Sequence, residues 1–328
     1  MKTNNLKPLI KTLLLSALVA SHVTLLAQAW PTKPIKLIIP FPPGGTTDIV
    51  GRLTADRLGR ELGQAVIVEN RGGGGGSIGA LEVARAAPDG YIIGMATVST
   101  HAVNPACNPK LAYDSLKDFA PISNLAHTAN VMVVNPKVPA NDMKELIALL
   151  KRSPGKLSYA TSGTCSIAHM MGEQFKVSTS TFITHIPYRG SGPALNDTLA
   201  GQVEILVDNL PSSVPHIQSG KLRPIAIAWP KRLEQFPNVP TYLELGLKEM
   251  NDPAWYGLVA PAGTPKDIIA KIQAAANKVV FSPDIAKRLR DAGAEPIGNK
   301  PEEFLAEIKK EKEKMAALVK KQNIKFDQ

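Results

Sequence analysis

The chain has 328 residues and a formal net charge of +10, with 44% hydrophobic and 20% charged residues. This balance is that of a globular protein and excludes an intrinsically disordered chain. Aromatic residues contribute only 5%, which argues against a platform that stacks nucleic-acid bases. The length allows two domains or one large domain.

The first 29 residues have the pattern of a secretory signal peptide. Three lysines precede the apolar stretch 12–20 (TLLLSALVA), and residues 27–29 (AQA) form an A-x-A cleavage site. A membrane anchor is the alternative, but His22 and Gln28 leave too short an apolar stretch for a span of about 20 residues. We therefore expect export with cleavage after Ala29.

Short apolar strands then alternate with helices along the chain. We predict strands at 35–40, 65–69, 91–97, 131–135, 157–161, 183–187, 202–208, 222–228 and 255–260. We predict helices at 46–62, 77–87, 140–151, 167–176, 193–199, 265–280, 283–291 and 301–320. This alternation indicates an α/β protein with doubly wound, mostly parallel sheets that carry helices on both faces.

The first two helices have candidate caps. Thr46 or Thr47 can cap the first helix, with Asp48 in its positive first turn. Ser77 suits the N-cap of the second helix. The last helix is lysine-rich and amphipathic, which we interpret as a solvated face; a nucleic-acid role fits an exported protein poorly.

The strand–helix pattern occurs in two successive blocks, which predicts two lobes. We expect residues 30–130 plus 253–328 to form the first lobe and residues 131–252 the second. Extended segments at 125–134 and 254–260 would cross between the lobes as a hinge, and the cleft between lobes is a natural ligand site.

The glycine run 72–76 invites two readings in terms of catalysis or cofactor binding. It fits a dinucleotide fingerprint formally, but the next strand ends without the acidic residue that this motif needs. It also places Ser77 in a G-x-S-x-G match, so an exported serine hydrolase is the alternative function. A nucleophile elbow requires a sharp turn directly from strand to helix, whereas several glycines intervene here.

Loops of small polar residues follow three predicted strands, at 43–48, 97–101 and 161–166. Ligands bind at the carboxyl ends of parallel strands, and helix N-termini there offer free N–H groups and a positive dipole end. These loops together favour a small anionic ligand, held between the lobes without a required arginine.

The six histidines are dispersed, and no C-x-x-C motif occurs, so we expect no metal and no cofactor. Cys107 and Cys165 could pair in an exported protein. Their spacing alone does not bring the two Cα atoms into reach, so both states stay open.

Motifs along the whole chain resemble those of one family. They include PF-x-PGG-x-x-D at 40–48, VENR at 68–71, APDGY at 87–91, HIPYRG at 185–190, DNLP at 208–211 and L-x-APAGTP at 258–265. The chain thereby resembles the Bug-type periplasmic solute receptors, which are the substrate-binding proteins of tripartite tricarboxylate transporters.

The resemblance implies a two-lobed type II periplasmic binding fold without catalytic activity. It implies a carboxylate ligand, such as a dicarboxylate, a tricarboxylate, an acidic amino acid or an aromatic acid, held partly through water. It also implies a monomer that serves inner-membrane permease subunits, although a receptor that feeds a signalling partner is an alternative. An N-terminal helix-turn-helix is missing, which argues against a transcriptional sensor.

In this family the ligand is held by two loops, here 41–48 and 161–169. The sequence departs from the family at Thr46 and at Cys165, where glycine is common. Asp48 should act indirectly, by fixing its loop or by receiving a donor group of the ligand. The candidate ligand-binding residues are Phe41, Pro43, Gly44, Gly45, Thr46, Asp48, Ser77, Thr97, Ser99, Thr100, His101, Ser162, Gly163, Thr164, Cys165, Ser166, His169, Tyr188, Asp208 and Asn209.

Overall fold

The computed structural model describes residues 30–324, so the signal peptide predicted at 1–29 lies outside the described residues. The strands are β1 (Ile35–Ile39), β2 (Val66–Asn70), β3 (Ile92–Thr97), β4 (Phe119–Thr128), β5 (Asn130–Val134), β6 (Ser158–Thr161), β7 (Thr184–Pro187), β8 (Ile205–Asn209), β9 (Arg223–Ala228), β10 (Ala254–Pro261) and β11 (Ala294–Pro296). The α-helices are α1 (Thr46–Leu62), α2 (Ser77–Ala84), α3 (Asn104–Cys107), α4 (Met143–Arg152), α5 (Ile167–Thr179), α6 (Ser191–Ala200), α7 (Leu210–Gln218), α8 (Lys266–Val280), α9 (Pro283–Asp291) and α10 (Pro301–Gln322).

These strands form two sheets, and together with the helices they confirm the predicted α/β class. The first sheet has the order β11-β4-β10-β3-β1-β2, and the second has the order β7-β6-β8-β5-β9. In the first sheet β10 runs antiparallel to both of its neighbours, and in the second sheet β5 does the same. Most of the remaining strands in each sheet share one direction, as a mostly parallel sheet requires.

The first sheet is buried because its strands are nearly continuous apolar runs. In β1, Ile35, Leu37 and Ile39 have no exposed surface, and each buried side chain of this size contributes about 1.5–3 kcal/mol. Helix α1 lies directly on this strand. At Gly51 of α1 an added Cβ would lie 2.7 Å from the Ile39 side chain, so glycine permits this close approach.

The chain passes between the two sheets at two places, near 128–130 and near 251–254. The two crossings are adjacent, because the Asn130 side-chain amide donates a hydrogen bond of 2.7 Å to the Asp252 carbonyl. Adjacent crossings are the arrangement that a hinge needs. The lobe boundaries themselves stay a prediction.

Several elements differ from the predicted ones. Helix α7 was not predicted, because Pro211 and Pro215 argue against a helix; Pro211 occupies its first turn, where proline is tolerated, and Pro215 lies inside it. Strand β4 begins at Phe119, well before the expected crossing segment. Helix α2 ends at Ala84 rather than at residue 87.

The predicted hydroxyl caps are wrong. The N-cap of α1 is Gly45 and that of α2 is Gly76, neither with a side-chain cap, and Ser77 is the first residue of α2. The Thr46 hydroxyl instead contacts the Asn209 carbonyl at 3.3 Å, so a tertiary contact replaces the local one. Among residues 30–324, no helix is long and apolar enough to cross a membrane.

Candidate ligand-binding site

A small cavity lies where the loops of the two sheets meet. Its volume is about 10 Å³, which is room for about one water molecule. Every residue of the wall is uncharged: Phe41, Gly45, Thr46, Thr47, Thr97, Val98, Ser99, Ser162, Ile167, Ser191, Asn209, Ala254 and Tyr256. The cavity therefore presents hydroxyl groups and backbone amides rather than ionic side chains.

Helix α1 begins at this cavity. Thr46 and Thr47 form its first turn and are buried, and the first N–H groups of a helix have no partner within the helix. Within the described chain, no side chain caps this terminus. The start of α1 therefore directs unpaired N–H groups and the positive end of its dipole into the site.

Asp48 holds the loop that leads into α1. Its carboxylate accepts hydrogen bonds from the Gly44 amide at 3.1 Å, from the Arg52 guanidinium at 2.8 Å and from the Asn70 amide at 2.9 Å. The Asn70 amide also donates to the Phe41 carbonyl at 2.9 Å. Of the two roles expected for Asp48, the contacts match the fixing of this loop.

Three helices of the second sheet also begin at the cavity. In α5, the Ser166 hydroxyl accepts from the His169 amide at 3.1 Å, and the Ile167 amide donates to the Ser99 hydroxyl at 2.9 Å. Helix α6 begins at Ser191, which lines the wall, and α7 begins directly after Asn209. Each helix N-terminus carries roughly half a positive charge, so four partial positive charges converge.

A buried carboxylate lies behind this wall. Asp208 is 2% exposed, and its oxygens accept hydrogen bonds from the hydroxyls of Ser191 at 2.6 Å, Ser212 at 2.6 Å and Ser213 at 3.1 Å. Burial raises the pKa of Asp208, while these serine hydroxyls oppose the shift. The carboxylate thereby fixes the direction of the three hydroxyl groups.

Tyr256 supplies a neutral hydroxyl group to the cavity. Burial raises the pKa of Tyr256 well above its ordinary value, and repulsion by Asp208 adds to this shift. The phenol is therefore uncharged at neutral pH and can act as a hydrogen-bond donor.

Glycines form the seam between the loops of the two sheets. An added Cβ would lie 2.3 Å from the Thr164 carbonyl oxygen at Gly75, 2.7 Å from the Pro43 carbonyl oxygen at Gly192, and 3.4 Å from the Ser191 Cβ at Gly45. Contacts this close between the two halves are possible because these residues have no side chain.

Cys107 and Cys165 form a disulfide, with their Cα atoms 5.9 Å apart. The sequence left this pairing open. Cys107 ends α3 on the side of the first sheet, and Cys165 lies in the loop between β6 and α5 of the second. Cys165 has a φ of 60°, in the left-handed region that favours glycine.

Two of the candidate histidines support the loops from behind. His101 packs against Phe119 with 4.6 Å between the ring centroids, and burial lowers the pKa of His101 to about 3. The His169 Nδ1 accepts from the Cys165 amide at 3.2 Å, and the ring stacks on His185. Burial, aided by Lys176, lowers the pKa of His169 to about 4, so both rings are neutral at pH 7.

The structure brings part of the candidate set together at the cavity. Those in its wall are Phe41, Gly45, Thr46, Thr97, Ser99, Ser162 and Asn209. Those that do not line it are Asp48, Ser77, Thr100, His101, Gly163, Thr164, Cys165, Ser166, His169 and Asp208. Pro43, Gly44 and Tyr188 line a separate surface groove. A ligand-binding role for each of these residues stays a prediction.

Sequence reasoning missed six residues of the wall: Thr47, Val98, Ser191, Ile167, Ala254 and Tyr256. Ser191 carried a usable signal, because it lies in a Gly-Ser-Gly turn between a strand and a helix, like the three loops that were selected. Tyr256 carried none, since it lies within a strand whose eight residues are all buried.

Two sheets whose loops meet at an enclosed cavity, joined by two adjacent crossings, define a two-lobed solute-binding receptor. The chain belongs to the tripartite tricarboxylate transporter family receptors, whose family model matches residues 50–324. It is 37% identical over 301 residues to Protein BugT of Bordetella pertussis, covering 92% of each chain. The predicted resemblance to Bug-type receptors is thereby confirmed.

Solved structures agree with this assignment. A structure described as a periplasmic transporter is 55% identical, with a TM-score of 0.90 over 91% of this chain and all of that chain. A protein of Rhodopseudomonas palustris with adipate is 34% identical, with a TM-score of 0.87 over 90% of this chain and 99% of that one. MatC from the same organism, with bound malate, is 32% identical, with a TM-score of 0.85 over 88% and 100%.

The protein is therefore a periplasmic solute-binding receptor and not an enzyme, and the hydrolase alternative based on Ser77 is wrong. Within residues 30–324, no group of three or more His, Cys, Asp or Glu side chains could hold a metal ion.

Proposed function

We propose that the cavity binds a small carboxylate and that the receptor delivers it to a permease in the membrane. The observation that carries this proposal is the convergence of four helix N-termini on a wall without charged side chains. A helix N-terminus stabilises an anion by about 0.3–1 kcal/mol, and by up to about 2 kcal/mol where it is partly buried. The start of α1, which has no side-chain cap, would contribute most of this preference, because the Asp208 carboxylate already accepts hydrogen bonds from Ser191 of α6 and Ser212 of α7.

The hydroxyl groups of the wall complement these dipoles. Thr97, Ser99, Ser162 and Tyr256 line the cavity, and each can donate to a carboxylate oxygen. Hydrogen bonds to an ionised acceptor are roughly twice as strong as neutral ones. Water can bridge the longer distances at little cost in affinity. Such a site would bind with a Kd near the micromolar range, or about −8 kcal/mol.

Binding requires the lobes to move. A cavity of about 10 Å³ holds one water molecule rather than a dicarboxylate, so the two walls must separate to admit it. A ligand that contacts both walls would then draw them together, by its greater affinity for the closer arrangement. The relatives with adipate and with malate make four- and six-carbon dicarboxylates the first compounds to test.

A thermal-shift series tests the requirement for negative charge. Adipate is compared with adipamide and with 1,6-hexanediamine, which keep the six-carbon chain and change only the charge. An acid at about 100 times its Kd should stabilise the receptor by roughly 2.7 kcal/mol, and a wider panel of acids follows if adipate and malate fail. Stabilisation by neutral or cationic compounds alone would contradict the proposal.

Native mass spectrometry of the purified receptor identifies an acid that co-purifies with it. Uptake of that acid by cells that have or lack this receptor then tests delivery. Equal uptake by both would contradict the permease role and leave the binding role intact.

A further inference from the structure

The Cys107–Cys165 disulfide is a covalent link between the two halves of the receptor, at the wall of the cavity. Within the described chain, the backbone connects the halves only at the crossings near 128–130 and 251–254. The disulfide adds a third link, between α3 on one side and the loop after β6 on the other. Hinge motion about two adjacent crossings is free to open a cleft, whereas a third link restrains it.

The third link lies within the part of the wall that must move. The Cys165 loop lies between Ser162 and Ile167, which both line the cavity. The Ile167 amide bonds the Ser99 hydroxyl across the two halves at 2.9 Å, and the Asn104 amide donates to the Cys165 carbonyl at 3.3 Å. Opening the cavity on this side would break both of these hydrogen bonds.

We propose that this disulfide is a redox lock on the binding cleft. The oxidised receptor keeps the cleft closed, and the receptor with two free thiols opens it and admits the ligand. The statement that reduction admits the ligand rests on the function proposed above. The statement that the disulfide keeps the cleft closed does not.

Disulfide geometry sets how far the walls can separate while the bond is intact. The Cα atoms of Cys107 and Cys165 are 5.9 Å apart, and disulfides span at most about 6.8 Å between Cα atoms. The bond therefore allows less than about 1 Å of further separation at this point. The cavity must grow from about 10 Å³ to the size of a carboxylic acid, and the bond opposes this growth on the side of Ser162 and Ile167.

The backbone at Cys165 gives independent support. Its φ of 60° strains the backbone of a residue with a Cβ, whereas glycine adopts it freely. A residue held in such a conformation at a binding cleft points to a functional reason. The property that cysteine adds here is its sulfur, which reaches the opposite wall.

The switching chemistry is thiol–disulfide exchange with a dithiol reductant. A thiolate of the dithiol attacks one sulfur of the pair, which forms a mixed disulfide and releases the other cysteine as a thiolate. The second thiol of the reductant then displaces the first cysteine. Two electrons and two protons pass to the receptor, and the dithiol leaves as a cyclic disulfide. Cys107 is 8% and Cys165 6% exposed, so exchange should be slow.

Two measurements on the purified receptor test the lock without any ligand. Small-angle scattering of the oxidised form should give a radius of gyration near 19 Å, the value for a compact chain of this size; dithiothreitol should increase it. Hydrogen exchange over 162–170 should accelerate about tenfold or more on reduction, because the Ile167 amide loses its partner. Exchange in the distant helix α8 is the internal control.

Variants show whether the effect arises at these two residues. Cys107→Ser and Cys165→Gly should each match the reduced receptor, and the glycine variant also removes the backbone cost at this position. The double variant should not respond to dithiothreitol, because the chain has only two cysteines. Equal scattering and exchange in the oxidised, reduced and variant receptors would overturn the lock.

Titrations with adipate and malate separate this inference from the proposed function. The lock predicts that the acid which binds does so at least about tenfold more tightly to the reduced receptor, because the open form is then populated. Equal affinity for both redox states would overturn the lock. A reduced receptor that opens but binds neither these two acids nor any acid of the wider panel would support the lock and contradict the proposed carboxylate ligand.

Discussion

The glycine seam makes a sharp prediction at Gly75. In Gly75→Ala, the new Cβ would lie 2.3 Å from the Thr164 carbonyl oxygen and 3.2 Å from the Cys165 carbonyl carbon, across the two halves. These are backbone atoms, so no side-chain rotation relieves the overlap, and the walls must separate by about 1 Å. Overpacking of this kind costs about 1–3 kcal/mol. If ligand binding requires the closed seam, affinity should fall about 5- to 150-fold.

Gly74→Ala is the matched control for this variant. Gly74 has φ of 56° and Gly75 has φ of 60°, so alanine is strained equally at both positions. At Gly74 the new Cβ would approach the hydroxyl of Ser77, the first residue of α2 on the same side of the cleft, and this side chain can move. The assay is calorimetry on the reduced receptor with the acid identified by native mass spectrometry, with scattering on the same samples. Equal affinities and equal compaction in the two variants would refute the role of the seam.

Three further predictions concern the site and its support. Thr46→Val removes the hydroxyl that contacts Asn209 and Ser212 and should weaken acid binding by about 1 kcal/mol or more. The control is Thr54→Val, because Thr54 is a buried threonine of the same helix whose hydroxyl bonds only the backbone of that helix. This control should leave the affinity unchanged in the same calorimetry. Reduction should lower the free energy of unfolding in urea by up to about 4 kcal/mol, because the cysteines are separated by 58 residues and cross-links of this length restrict the unfolded chain; equal midpoints with and without reductant would count against this. The pKa of His169 is about 4 in the folded receptor and about 6.5 in the unfolded chain, so this group contributes stability that is complete above pH 6.5 and is lost toward pH 4, because the unfolded chain binds the proton first. His169→Gln should therefore lose less stability on acidification than the parent protein. Parallel urea-stability profiles of the two proteins over this pH range would show that the histidine does not contribute.

The sequence was sufficient for the parts of the fold that local chemistry determines. The apolar run of β1 and the helical pattern of α1 predict their own structure, since burial and periodicity agree there. Helix α7 could not be predicted in this way, because Pro215 lies inside it and is an unfavourable signal that tertiary packing overrides. The Thr46 cap failed for the same reason: its hydroxyl bonds Asn209, which lies 163 positions away in the chain.

The residues of the site also divide into those that local sequence predicts and those that depend on tertiary packing. Loops of small polar residues identified the helix starts at Thr46 and Ile167, because free N–H groups at a strand end have a recognisable sequence. Tyr256 belongs to the wall only because its strand lies between the two halves. A buried strand elsewhere in the molecule would have the same apolar sequence pattern. The cysteine pairing likewise depends on how closely the halves approach, which spacing along the chain does not encode.

The two departures from the family pattern have a common physical consequence. The family resemblance leads us to expect glycine at the positions of Thr46 and Cys165, and a glycine at either position would leave the opposite wall without a bond from a side chain. Here the Thr46 hydroxyl contacts Asn209 and Ser212, and the Cys165 sulfur bonds Cys107. Both changes therefore add a bond across the cleft, one reversible and one covalent. Closure in this receptor then depends less on the ligand than it would in a relative with glycine at both positions, and the replacement of either residue by glycine should make compaction depend more strongly on added acid.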